Sequence, residues 1–318
     1  MIKLLWRTDI HMSDRTPTSR TDDWRLTLME KLRKVGEMAS EYDAVLDGGD
    51  FFDIKSPTRN SHSLVREVID IHKDYPVPVY ANVGNHDCVY GDYSFLHQQP
   101  LGVVFSSGAF QRLYDEHEVT FEKDGLKVRV VGIPYHGVRY DMDRFKNIKK
   151  GDEDYLVCVA HVLASQKGGT MFEGEDIVKY DDLKELEPDV WCFGHWHKDQ
   201  GITEIADGKW VVNIGSMTRG SLTQDNIDRI PCVGSFAFTK EGFELTKIPL
   251  EVKPAEEIFD LEKREKEEIR EDTMTTFVGS LKDSLATCSE TDLRESILTL
   301  EIPQSIKERA LLYLEQVQ

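Results

Sequence analysis

The sequence predicts a layered α/β protein, an αββα sandwich that carries a helical C-terminal appendage. Strand-like and helix-like segments alternate up to about residue 110, and short strands joined by hairpin-type turns follow up to about residue 250. After Pro254 the chain becomes helical in pattern and strongly charged. We therefore divide the chain into a domain spanning residues 1–250 and a helical segment spanning residues 251–318.

The first part of the chain predicts a βαβαβ unit. Apolar residues recur at helical spacing from Trp24 to Ala39, which indicates one amphipathic helix. Short apolar runs on either side of that helix are typical of buried strands. In order, we predict a strand over residues 2–7, a helix over 22–42, a strand over 44–46, a helix over 61–72 and a strand over 77–80.

The second part predicts a run of strands. Three short polar segments at 123–125, 206–208 and 240–242 each end in glycine, which is typical of hairpin turns. Combined with the βαβαβ unit, these strands indicate two sheets covered by helices. The predicted strands cover residues 119–121, 127–133, 156–160, 190–193, 210–214, 234–238 and 243–248.

Composition excludes several classes of protein. The 318 residues include 39 Lys and Arg against 58 Asp and Glu, a net charge of −19, so bulk charge does not favour coating of nucleic acid. No apolar run reaches the ~18 residues that a membrane span needs, and the N-terminus lacks a signal-peptide pattern. The five cysteines are scattered and form no Cys-x-x-Cys pair, which predicts reduced thiols in a cytoplasmic protein.

The C-terminal segment, residues 251–318, has a net charge of −8. Residues 262–272 are almost all charged and predict a solvated helix face, whereas apolar stripes over 274–285 and 306–317 predict further helices. Such stripes pack on their own protein or dock a partner, and the sequence leaves both interpretations open.

Five short blocks place carboxylates, imidazoles and one amide at the ends of predicted strands. Carboxylate oxygens and neutral imidazole nitrogens suit Mn²⁺, Fe²⁺ and Zn²⁺, and the glycines within the blocks allow a sharp turn after a strand. Each block is common by itself, and a histidine such as His161 is more often a core or surface residue than a ligand. The blocks are Asp9-Ile10-His11, Gly49-Asp50-Phe51-Phe52-Asp53, Gly84-Asn85-His86-Asp87, His161 and Gly194-His195-Trp196-His197.

In this order and spacing, the five blocks resemble those of the calcineurin-like metallophosphoesterase superfamily across residues 1–250. The resemblance implies an enzyme that holds two divalent ions, with Asp50 bridging them. Mn²⁺ is the expected metal, with Fe²⁺, Zn²⁺ and Mg²⁺ as alternatives. One ion would take Asp9, His11, Asp50 and His197, and the other would take Asp50, Asn85, His161 and His195.

The same resemblance implies roles for three neighbouring residues. His86 would be the catalytic histidine, Asp87 would orient it, and Asp53 would hold the metal ligands in place. The implied reaction is hydrolysis of a phosphodiester bond by a hydroxide activated between the two metals, with His86 protonating the departing oxygen.

Finer features favour one branch of the superfamily. Phosphoprotein phosphatases carry Arg after the position of Asp53 and Glu after the Asn-His pair, whereas Ile54 and Asp87 stand there. The spacing Arg20…Asp23, the segment 56–58 and the segment 213–219 instead resemble the SbcD-type DNA double-strand-break repair nucleases. This resemblance implies a DNA exonuclease or endonuclease that works with an SbcC-type coiled-coil ATPase, and a homodimer is left open.

Several points depart from that branch or stay open. Residues 251–318 are few for a capping domain together with partner-binding helices, so they are a reduced cap, a partner-binding element, or both. The same metal cluster would also serve a phosphodiesterase for cyclic nucleotides or other nucleotides. A site that has lost its activity is disfavoured, because every ligand position is filled. Two interpretations stay open for the basic side chains near the site, which either contact phosphate or are solvated on loops. These side chains are Arg15, Arg20, Lys55, Arg59 and Arg219.

Overall fold

The computed structural model describes residues 1–54, 60–168 and 174–262, together with residues 297–299, 303, 304, 307 and 311. The chain forms two compact units, Met1–Phe259 and Asp260–Gln318. Most of the predicted C-terminal helices, together with Lys55, Arg59 and Cys288, lie outside the described residues. The description below therefore concerns the first unit.

One six-stranded sheet is built around β1. Strands β1, β2, β3 and β4 are parallel, and β13 and β14 complete the sheet as antiparallel neighbours in the order β14-β13-β1-β2-β3-β4. Trp6 of β1 lies opposite Leu46 of β2, which fixes the register at the centre. The strands are β1 (Ile2–Arg7), β2 (Ala44–Asp47), β3 (Val79–Ala81), β4 (Gln111–Arg112), β13 (Cys232–Phe238) and β14 (Phe243–Pro249).

The second six-stranded sheet has the order β11-β12-β10-β7-β6-β5. Its four central strands are parallel, and both edge strands join antiparallel through hairpins. The strands are β5 (Val119–Lys123), β6 (Leu126–Ile133), β7 (Tyr155–His161), β10 (Val190–Gly194), β11 (Gly201–Ala206) and β12 (Lys209–Asn213). A separate two-stranded pair consists of β8 (Ala164–Ser165) and β9 (Val178–Lys179).

Helices occupy the connections between strands. The two longest begin at side-chain caps, because Asp23 accepts from the backbone N–H of Leu26 and Ser61 accepts from that of Leu64. Short 3₁₀ helices lie at Ala39–Glu41, Val89–Gly91 and Tyr93–Gln98. The α-helices are α1 (Trp24–Met38), α2 (His62–Lys73), α3 (Pro100–Ser106), α4 (Met142–Lys146), α5 (Tyr180–Leu183), α6 (Gln224–Asp228) and α7 (Ala255–Ile258).

Most buried apolar side chains of the described residues form three layers, and a small fourth cluster consists of Ala255, Ile258 and Phe259. Alternate residues of a strand point to opposite faces, so Leu4 and Trp6 lie between the two sheets while Leu5 packs towards α1 and α2. On the far face of the second sheet, Trp191 packs against Phe145 of α4. This succession of helices, sheet, sheet and helices confirms the predicted αββα sandwich.

The strands that the sequence did not predict are short or polar. β4, β8 and β9 have two residues each, so pairing with a neighbour defines them and no periodicity can reveal them. β11 has no buried residue and lies at a sheet edge. Cys88, Cys158, Cys192 and Cys232 are buried free thiols, as predicted. Within the described ranges, no helix is both long enough and apolar enough to cross a membrane.

Candidate metal centre

The predicted ligands lie at the carboxyl ends of the parallel strands in both sheets. In an α/β sheet these ends share one edge, which is where ligands commonly bind. Asp9 and His11 follow β1, Asp50 follows β2 and Asn85 follows β3. From the second sheet, His161 ends β7, and His195 and His197 follow β10.

The structure brings these side chains together in two groups. In the first, one ligand atom each from Asp9, His11, Asp50 and His197 lies within 4.8 Å of all the others. His11 Nε2 is 2.8 Å from His197 Nε2 and 3.7 Å from Asp50 Oδ2. These four residues are the predicted ligand set of one metal ion.

The second group joins Asp50 with His161 and His195, again with ligand atoms within 4.8 Å of one another. His161 Nε2 lies 3.3 Å from Asp50 Oδ2. Asp50 therefore belongs to both groups, which is the geometry that a bridging carboxylate requires.

The chemistry of the buried atoms fits a pair of divalent ions. Asp50 Oδ2, Asn85 Oδ1 and His161 Nε2 are buried and make no hydrogen bond within the described part of the chain. Buried polar atoms are nearly always hydrogen-bonded, so the unsatisfied oxygens of Asp50 and Asn85 point to a cationic partner. Oxygen and imidazole donors are those that Mn²⁺, Fe²⁺ and Zn²⁺ accept.

Four of the predicted ligands adopt left-handed backbone conformations. The φ angles are 55° at Asp9, 53° at His11, 51° at Asp50 and 91° at His195. Such angles are uncommon outside glycine, and strained residues of this kind cluster at functional sites. The turns after β1, β2 and β10 therefore hold the ligands in place at a cost in stability.

The ionisation of the cluster prepares it for cations. Burial, reinforced by the neighbouring His197, lowers the pKa of His11 to about 3, so this imidazole stays neutral and keeps a lone pair for a metal. Burial alone would lower the pKa of His161, but the carboxylate of Asp50 raises it to about 9. Burial opposes charge on Asp50, yet the imidazoles of His161 and His86 hold the pKa of its carboxyl well below the usual range. A metal bound at His161 would therefore compete with a proton for this imidazole.

Gly84 lets the loop after β3 approach Asp50. A Cβ at Gly84 would collide with Asp50 Oδ1 and would lie 2.7 Å from the carboxyl carbon of Asp50. We expect Gly84→Ala to displace this carboxylate and to weaken Mn²⁺ binding by about 10- to 100-fold, the range seen when the support of a metal ligand is disturbed. Calorimetric titration with Mn²⁺ measures the change. Gly220→Ala is the matched control, because its Cβ would find only ordinary contact with Trp24 at 3.7 Å.

His86 is held by a carboxylate other than the one predicted. His86 Nδ1 lies 2.9 Å from Asp53 Oδ1, and this hydrogen bond, opposed by burial, lowers the pKa of Asp53. The backbone N–H of His86 donates to Asp50 Oδ1 at 2.6 Å, which ties the loop after β3 to the carboxylate of Asp50. His11, Asp53 and His86 also form a third group of close ligand atoms.

Asp87 faces backbone groups, whereas the carboxylate at His86 Nδ1 is that of Asp53, so orientation of His86 by Asp87 stays a prediction. Its two carboxylate oxygens accept the backbone N–H groups of Phe52 and Gly84, each at 2.9 Å. Burial, together with the nearby charge of Asp50, raises the pKa of Asp87 to about 8. The side chain of Asp87 therefore joins the loops after β2 and β3.

Glu175 is a site residue that sequence reasoning missed. Its Oε1 lies 3.0 Å from His195 Nε2 and accepts the hydroxyl of Tyr140 at 2.7 Å. Glu175 lies in a polar connection between β8 and β9, with no motif around it to indicate a role.

Of the basic residues predicted to contact phosphate, three lie in the described part of the chain, and they differ in burial. The guanidinium of Arg20 is buried and bonded to both carboxylate oxygens of Asp22 and to the carbonyl of Arg219. Arg219 is buried and donates to the carbonyl of Lys253. Arg15 is exposed on the loop after His11. Contact with phosphate stays a prediction for all three.

The sequence family of calcineurin-like phosphoesterases matches this chain over residues 2–199. The matched range is more than half of the chain and contains every predicted ligand. The chain belongs to this family. It is accordingly a hydrolase fold of the metallophosphoesterase type, and the family uses divalent metal ions, which the cluster of Asp and His side chains is built to hold.

Individual relatives of this calcineurin-like phosphoesterase are distant. The DNA double-strand break repair protein Mre11 of Methanosarcina acetivorans is 21% identical over 305 residues, covering 91% of this chain and 47% of the relative. The chain thus spans about half the length of that protein. Among solved structures, the purple acid phosphatase PPD1 of yellow lupin is 11% identical, with coverage of 78% of this chain and 51% of that one and a TM-score of 0.47. The NAD nucleotidase of Haemophilus influenzae is 12% identical, with coverage of 78% and 49% and a TM-score of 0.44.

Proposed function

We propose that this phosphoesterase is a metal-dependent DNA nuclease that hydrolyses phosphodiester bonds as an exonuclease or endonuclease. The observation that carries the proposal is the similarity to a DNA double-strand break repair protein along 91% of the chain. That similarity extends past the 2–199 range of the family match, so it includes sequence beyond the shared catalytic core. Ile54 and Asp87 stand where phosphoprotein phosphatases carry Arg and Glu. These two residues therefore favour the repair-nuclease branch over the phosphoprotein phosphatases.

The side chains of the site divide the chemical work. Two bound divalent ions, which we propose to be Mn²⁺, would supply an activated water and offset the charge that develops on the phosphoryl group. Asp50 holds the two ligand groups at a fixed separation, since it belongs to both. His86, oriented through Nδ1 by Asp53, can present Nε2 to the departing oxygen and give it a proton.

The charge of the chain suggests how it would hold DNA. With a net charge of −19, and with Arg20 and Arg219 occupied by internal hydrogen bonds, the protein offers little sequence-independent attraction for a duplex. We therefore propose that an SbcC-type coiled-coil ATPase supplies most of the grip, with residues 251–318 as a reduced cap or as the element that contacts the ATPase. A homodimer is compatible with this arrangement, and the buried free thiols agree with a cytoplasmic location.

A metal-titrated cleavage assay tests the proposal. Labelled linear duplex DNA is incubated with the protein and Mn²⁺, with and without the ATPase partner, and then with Fe²⁺, Zn²⁺ or Mg²⁺. We expect cleavage that EDTA abolishes and that the partner increases. A cyclic nucleotide is offered in parallel. If its turnover far exceeds DNA cleavage, the protein is a small-molecule phosphodiesterase and the nuclease proposal is wrong.

A further inference from the structure

We propose that Glu175 positions the metal ligand His195, and that Tyr140 connects this pair to the strand that carries His161. The proposal deepens the proposed function, because it concerns the same metal centre. It assigns a supporting role to a side chain that lies outside the five sequence blocks.

The first step of the argument is the contact itself. The side chain of Glu175 is 9% exposed and that of His195 is 7% exposed, and Glu175 Oε1 lies 3.0 Å from His195 Nε2. A buried carboxylate facing an imidazole nitrogen accepts the N–H of that nitrogen. The bond therefore places a proton of His195 on Nε2 and holds the imidazole ring in one orientation.

The second step is the support behind Glu175. Tyr140 donates its hydroxyl to Glu175 Oε1 at 2.7 Å and accepts the backbone N–H of Leu163 at 2.9 Å. Leu163 follows β7 and is two residues from His161. Two histidines of the same ligand group, one from β7 and one after β10, are therefore linked through one tyrosine and one carboxylate.

The third step is the strain at His195. With φ at 91°, the residue is in a conformation that a non-glycine side chain rarely adopts, so the surrounding contacts must hold it there. Its backbone N–H donates to both carboxylate oxygens of Asp9, at 3.0 and 3.2 Å, and its ring is held by Glu175. A metal ligand whose second nitrogen is bonded to a carboxylate is fixed in ring orientation and made more basic.

Two-step Mn²⁺ binding to the full chain tests this inference. We expect Glu175→Ala to weaken one of two calorimetric binding steps by about 10- to 100-fold, as is typical when a carboxylate behind a metal-bound histidine is removed, and to leave the other step unchanged. Glu175→Gln keeps the volume and an acceptor oxygen, so a smaller loss is expected. Tyr140→Phe should weaken the same step. The absorption spectrum of the Co²⁺-substituted protein should change in the Glu175 variants, because the orientation of one nitrogen ligand changes.

Asp176→Asn is the matched control. Asp176 accepts the backbone N–H of Tyr140 and pairs with Arg139, so this change removes a neighbouring charge and keeps an acceptor. We expect its Mn²⁺ binding and Co²⁺ spectrum to match the wild type. If both Glu175 variants fold and bind two Mn²⁺ with wild-type affinity, or if Asp176→Asn weakens the same step equally, the positioning role is wrong. Failure of the wild type to bind Mn²⁺ would instead overturn the metal centre, and metal binding without DNA cleavage would overturn only the nuclease proposal.

Discussion

Asp50→Asn is expected to lower the rate of phosphodiester cleavage by about 10³-fold or more, because a bound metal contributes several kcal/mol to charge stabilisation in the transition state. Asp50 is the residue shared by the two ligand groups, and its Oδ2 is buried without a hydrogen bond. Replacement by asparagine removes the negative charge and substitutes a nitrogen donor for one of the two acceptor oxygens. The two cations would then lose their common ligand at once.

Single-turnover cleavage and metal stoichiometry measure this effect together. The wild type should bind two Mn²⁺ per chain and should unfold at a higher temperature when Mn²⁺ is added, because a ligand that binds only the folded state stabilises it. Asp50→Asn should lose both responses. Asp207→Asn, at an exposed position between β11 and β12, makes the same chemical change away from the site and should behave as the wild type. Two ions bound tightly by Asp50→Asn would contradict the bridging role.

The fold could be predicted because its two periodicities are strong in the sequence. Continuous apolar runs such as residues 156–160 are buried on both faces of a parallel sheet, and the helical spacing from Trp24 to Val35 covers one sheet face. The predicted ligands came together for a related reason, since each block follows a strand and parallel strands end at one edge. What remained hidden depends on partners distant along the chain.

Side-chain direction is the clearest case of such hidden information. Asp87 is adjacent to His86 in the sequence, whereas Asp53 belongs to another of the five blocks. Only the folded loops show that Asp87 turns towards backbone N–H groups while Asp53 faces the imidazole of His86. Glu175 reaches His195 across 20 residues, from a connection whose composition is that of any polar loop. The positive φ angles of Asp9 and Asp50 likewise arise from the turn geometry, which residue type alone does not predict.

The different contacts of Asp53 and Asp87 lead to a prediction that separates an effect on catalysis from an effect on stability. His86→Ala should lower kcat by about 10²- to 10⁴-fold, the usual contribution of a positioned general acid, and should leave Mn²⁺ affinity close to that of the wild type, because neither group that contains Asp50 includes His86. Asp53→Ala should lower kcat in the same direction and by no more than His86→Ala, since it acts through the orientation of His86.

Asp87→Ala should instead act mainly on the free energy of unfolding. It would leave the backbone N–H groups of Phe52 and Gly84 without their acceptor in a buried loop, and each orphaned donor costs about 1–3 kcal/mol. Urea denaturation, compared with kcat measured on the folded fraction, separates the two aspartates. If Asp87→Ala were as stable as the wild type but as slow as His86→Ala, while Asp53→Ala kept full activity, then Asp87 would orient His86 in solution. The hydrogen bonds predict the reverse, because both oxygens of Asp87 accept backbone N–H groups while Asp53 Oδ1 faces His86 Nδ1.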